Sequence, residues 1–196
     1  MIPLYIINNF EMKHLILFSL LLFSVARCSN ELVFEEQSFQ KKTTLPCKEN
    51  CPQITVRIPV AKDVPVVADS INKKVFSVLK EIIYFGEKPN TFTNYDGLLT
   101  SFIDSYEKFQ KEFPKDTFGW EGKIEGSIKY LSDSILNIEI KHYTFTGGAH
   151  GYEGLRSLLF DPSTGKYIPN NQLFKNKNAF IAFAEKKFRA KYKIPE

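Results

Sequence analysis

Apolar and polar residues fall along this chain in patterns of more than one period. Residues 15–26 (LILFSLLLFSVA) are a twelve-residue apolar run, preceded by Lys13 and His14 and followed by Arg27 and Cys28. Ile54, Val56 and Ile58 then alternate with Thr55 and Arg57, the period of a half-buried strand. Asp63 and Pro65 open a helix whose apolar positions Val67, Ile71, Val75, Val78 and Ile82 recur every three or four residues. A loop over Asn90 to Asn94 leads to a second helix carrying Leu98 or Leu99, Phe102, Tyr106, Phe109 and Phe113 on one side, ended by Pro114. From Gly119 the period returns to two. Trp120, Ile124, Ile128 and Tyr130 are expected on one strand face, and Leu136, Ile138 and Ile140 run back after a turn at Ser132–Asp133–Ser134. A strand from Leu155 to Phe160 enters the turn DPSTGK and continues at Tyr167 and Ile168, and a last helix puts Phe180, Phe183, Ala184 and Phe188 on one side. With an earlier strand beginning at Leu32 to Phe34, these elements predict one α+β domain from about residue 31. Its sheet is expected to be antiparallel, packed by two to three amphipathic helices.

The twelve-residue run is too short to span a bilayer, which takes about 20 residues, and suits the h-region of a secretory signal. Met12 is then the expected start and residues 1–27 the signal. Apolar residues ending just before a cysteine are the pattern of a bacterial lipoprotein, with Cys28 the expected acylated residue. An ordinary cleaved secretory signal and an uncleaved anchor are the alternatives, and all three place the domain outside the cytoplasm. Residues 28–45 form the anchor segment and first strand, and 46–196 the domain. In an oxidising compartment Cys47 and Cys51, between Pro46 and Pro52, suit a short-range disulfide; free thiols and metal or redox chemistry are the other readings.

The formal net charge of +4 is small and dispersed, so no nucleic-acid partner is expected. Eighteen Phe and nine Tyr against one Trp predict a core built on rings and a sticky surface. The basic residues Lys186, Lys187, Arg189, Lys191 and Lys193 read either as a polyanion or membrane patch, or as charges complementing a helix C-terminus with Phe188 and Tyr192 turned to the core.

Chemistry concentrates in YTFTGGAHGYEG, residues 143–154. Its glycines permit sharp bends, and His150 lies among Tyr143, Phe145 and Tyr152. It reads as a recognition loop with an exposed imidazole, or as a strand connection whose glycines solve a packing problem. The candidate ligand-binding residues are His150, Gly147, Gly148, Tyr143, Phe145 and Tyr152. No catalytic residue, metal or cofactor is assigned: G-x-S-x-G is absent, Gly165-Lys166 is followed by Tyr167 rather than Ser or Thr, and His142 and His150 match no helical zinc spacing. A metal site using them with Glu153 or Asp161 would have to be assembled by the fold.

GGAHG, a following strand, D-x-x-TGK and a further Leu173-Phe174 together resemble the C-terminal half of a bacterial extracytoplasmic domain pair, with residues 50–140 similar to its N-terminal half and 141–196 to its C-terminal half. That pair occurs in a lysozyme-sensing anti-sigma factor and ahead of the catalytic domain of a peptidoglycan deacetylase. The resemblance implies a non-enzymatic envelope lipoprotein whose partner is an envelope protein such as a lysozyme-like one, or peptidoglycan. The deacetylase's paired aspartates and metal histidines are not among these residues. A glycan-acting enzyme or accessory domain using His150 is the alternative, and it requires a carboxylate within hydrogen-bond reach of that ring. The family continues past the last helix into further strands, so a chain truncated at Glu196 is expected.

Overall fold

The computed structural model describes residues 31–84, 91–115 and 118–195. The expected signal run and Cys28 lie outside them. Residues Leu32–Glu196 form one compact unit.

A hairpin of β1 (Val33–Lys42) and β2 (Gln53–Lys62) is followed by α1 (Pro65–Ile83) and α2 (Tyr95–Glu112), then by β3 (Glu121–Leu131), β4 (Leu136–Phe145), β5 (Tyr152–Phe160), the short β6 (Tyr167–Ile168) and α3 (Lys177–Tyr192). The strands make one six-stranded sheet in chain order. The α+β class stands, but the sheet is mixed: β2 and β3 run parallel, Gln53 beside Glu121 through Arg57 beside Glu125, while the other pairings are antiparallel. A parallel neighbour needs a long crossover, and α1 with α2 supplies it.

Both helices pack on the same sheet face. Pro65 starts α1, and Asn72 pins it to β2 by accepting from the Ala61 amide at 2.9 Å and donating to the Ala61 carbonyl at 3.0 Å. Asn94 caps α2, accepting from the Gly97 amide at 2.8 Å. Burying Ile54, Val56, Ile58, Ile71, Leu79, Leu98 and Ile124 at or near zero exposure makes this the core. It is mainly aliphatic, correcting the expectation of rings. Phe102, Phe160, Tyr106 and Trp120 are buried, whereas Phe113, Phe118, Tyr130 and Tyr152 are exposed.

Two further expectations are corrected. Tyr130 leaves the face of Trp120 and Ile124, pairing with the outward Asn137, while Ile128 keeps that face opposite Ile138 but is exposed there. β3 loses its β2 neighbour after Glu125, and its register with β4 shifts between Ile128 and Tyr130. Phe188 and Tyr192 do not face a core, for no residue of α3 is buried. Lys187 instead lies 5.6 Å over the Phe183 ring, and Arg189 pairs with Glu185 at 2.9 Å.

The turn DPSTGK is structural. Asp161 Oδ1 accepts from the Ser163 amide at 2.8 Å and the Ser163 hydroxyl at 2.6 Å, and these bonds hold its carboxyl below the usual range. Gly165, at φ 69°, lies against α1, where Ser70 donates to its carbonyl at 2.8 Å.

Candidate functional site

β4 carries the inward row Leu136, Ile138 and Ile140 on into His142 and Thr144, both buried. Its alternate residues Tyr143 and Phe145 therefore point to the opposite, helix-free face. Register with β5 sets Tyr152 opposite Thr144, Gly154 opposite His142 and Arg156 opposite Ile140, so Tyr152 and Arg156 share the inward face. The cluster expected around His150 is thus divided by the sheet.

On the helix side, a cleft of about 320 Å³ opens between the end of α1 (Glu81, Ile82, Tyr84) and the β4–β5 hairpin, lined by His142, Thr146, Gly147, His150, Tyr152 and Arg156. Gly147 and Gly148, at φ 100° and 92°, turn the hairpin in open space. His150 is exposed. A carbonyl only accepts, so its Nδ1 carries the proton donated to the Gly151 carbonyl at 3.0 Å. That bond meets backbone, not the carboxylate an acid–base role asks for. His142 is 5% exposed, and among the described residues neither ring nitrogen has a hydrogen-bond partner. Burial, reinforced by the Arg156 charge, holds its pKa below the ordinary value. The ring lies 5.6 Å from that of Tyr152.

On the other face three depressions join through shared residues. One of about 330 Å³ runs from Asn50 and Cys51 past Phe118 and Phe145 to Gln53 and Glu121. The next, of about 390 Å³, shares Gln53 and Glu121 and adds Gln40, Thr55 and Arg57. The third, of about 470 Å³, shares Lys123 and Glu125 with it and ends on Lys141, Tyr143, Glu153 and Leu155. The result is a trough across β2, β3, β4 and β5. Its charges balance, with Arg57, Lys123 and Lys141 against Glu121, Glu125 and Glu153, and Lys123 pairs with Glu125 at 3.2 Å. Phe145 meets Phe118 edge-on at 6.3 Å at one end, and Tyr143 lies against Gly151 near the other. Cys47 and Cys51 are joined as a disulfide, and Cys51 lines the trough's first depression.

His142 and Glu153 both line the third depression, but register puts their side chains on opposite sheet faces. Glu153 faces the trough, and Asp161 lies in the turn after β5. Among the described residues no three His, Cys, Asp or Glu side chains group as a metal site.

A family profile described as Deacetylase PdaC matches residues 46–153, more than half of the chain. The chain belongs to this family. The matched stretch of the PdaC-family domain takes in all of β2 to β4 and both packed helices, hence most of the trough. Two solved structures share its fold. One is a DUF3298 family protein from Pseudomonas aeruginosa PAO1, at 20% identity and TM-score 0.58, aligned over 83% of this chain and 67% of that one. The other, a DUF3298 family member from Bacteroides fragilis NCTC 9343, has 18% identity and TM-score 0.60, over 84% and 70%. No curated protein matches in sequence.

Sequence reasoning missed Arg156, Glu81, Gln53 and the outward use of Arg57. The alternation of Thr55 and Arg57 with Ile54 and Ile58 was the available signal for the last of these. Arg156 becomes legible only with the β4–β5 register.

Proposed function

We propose that this PdaC-family domain is a non-enzymatic envelope-binding module, tethered through an acylated Cys28, whose trough holds a peptidoglycan glycan strand. The observation that carries the reading is the continuity of the trough across four strands with balanced charge. A groove without net field has little attraction for a polyanion. It suits instead a long, nearly neutral chain rich in hydroxyl and amide groups, which Gln40, Gln53 and Thr55 can hydrogen-bond while Tyr143 and Phe145 offer ring faces. The lysozyme-sensing relatives implied by the resemblance make a lysozyme-like protein the competing partner.

Co-sedimentation of the purified full chain with insoluble peptidoglycan, beside capture on immobilised lysozyme, separates the two. Retention on peptidoglycan that drops for Tyr143→Ala is expected. Retention on lysozyme alone moves the assignment to a protein partner, and retention on neither removes it.

A further inference from the structure

The cleft on the helix side is built differently from the trough. His142, 5% exposed, is part of its lining, but both ring nitrogens are closed off from solvent and have no hydrogen-bond partner among the described residues. Two opposite charges line the same cavity, Glu81 on the α1 wall and Arg156 on the β5 wall, and both are exposed. Neither forms an ion pair with the other or with any described residue; the Arg156 side chain donates to the Leu155 carbonyl at 3.4 Å. The α1 C-terminus adds its partial negative charge on the Glu81 side. A cavity of about 320 Å³ lies at the small end of the range for small-molecule sites.

We infer that this cleft binds a small zwitterion of the α-amino acid class, its carboxylate on Arg156 and its ammonium on Glu81 and the end of α1. A purely anionic ligand would leave Glu81 unanswered and repelled, and a purely cationic one would do the same to Arg156. His150 Nε2 and the Tyr152 hydroxyl stand at the rim. The inference does not depend on the trough, which lies on the other sheet face.

Titration of the full chain with L-alanine and with L-alanyl-L-alanine, followed by calorimetry and by the ring resonances of His142, tests it. The two probes separate a free amino acid from a dipeptide. Saturable binding of at least one, with movement of the His142 signals, is expected. N-acetyl-L-alanine and L-alaninamide should bind about tenfold more weakly or worse, as should the surface variants Arg156→Gln and Glu81→Gln. Tyr143→Ala should bind like the wild type. Unmoved His142 signals with both probes, equal binding of N-acetyl-L-alanine, or wild-type affinity in Arg156→Gln would each overturn the assignment.

Discussion

The imidazole of His142 packs against Gly154 on the neighbouring strand, so close that a methyl group there would fall 2.3 Å from Nε2. The glycine makes room for the ring, and the ring covers the backbone the glycine leaves bare.

Gly154→Ala should therefore force the ring from its seat. A loss of about 1–3 kcal/mol in urea unfolding is expected, the usual penalty of overpacking. The His142 ring resonances should shift with it. A variant as stable as the wild type, with unmoved His142 signals, would contradict this packing.

Stability should fall with acid through the same ring. His142 has its pKa lowered by burial and then by Arg156, so below its ordinary value of 6.5 the unfolded chain takes up a proton that the folded chain refuses. Its contribution is whole above that value and declines as pH drops below it. The facing groups are Arg156, Glu81 and His150, of which Arg156 alone is a fixed cation. Urea midpoints measured on either side of pH 6.5 should converge for the wild type and His142→Gln on the alkaline side, apart from a constant offset, and differ in slope on the acid side.

Glu107 ties α2 to the segment after β1, accepting from the Thr43 hydroxyl at 2.8 Å and from the Thr44 amide at 3.1 Å. These bonds, the Thr43 hydroxyl foremost, lower its carboxyl from the ordinary value of 4.5. Glu107→Ala should lose about 1–2 kcal/mol at neutral pH. Because the folded value is depressed, that stabilisation is present above 4.5 and vanishes as pH falls through the folded value. Thermal unfolding of both proteins across this range checks the sign.

Gly165→Ala combines a positive φ with a methyl group 2.6 Å from the Val67 carbonyl oxygen. A destabilisation of about 2 kcal/mol or more is expected from the strain and the clash together. Ser70→Ala, which removes only the hydroxyl that donates to the Gly165 carbonyl, should lose about 1 kcal/mol. Calorimetric scans of the two variants would rank them.

The elements packed on the helix face were readable from spacing alone. Val67, Ile71, Val75, Val78 and Ile82 mark the buried side of α1, and Ile54, Val56 and Ile58 that of β2, because each apolar row meets the core over its whole length. Alternation says which residues share a face but not which strand lies alongside or in what direction, so the parallel β2–β3 pair was invisible. The same blindness to register grouped Tyr143 with Tyr152, which the pleat of β4 and its pairing with β5 send to opposite faces. In α3 the pattern showed an apolar side; it could not show whether anything covers it.

The parallel pairing of β2 with β3 also orders the assembly of the domain. The β1–β2, β3–β4 and β4–β5 ladders join segments adjacent in the chain and can zip from their turns, whereas Gln53 can find Glu121 only after α1 and α2 have folded the intervening chain back on itself. That closure carries most of the loop entropy and should be the slow step, with the hairpins preformed on either side of it. Since the trough spans that seam, it comes into being only with the last strand pair to form.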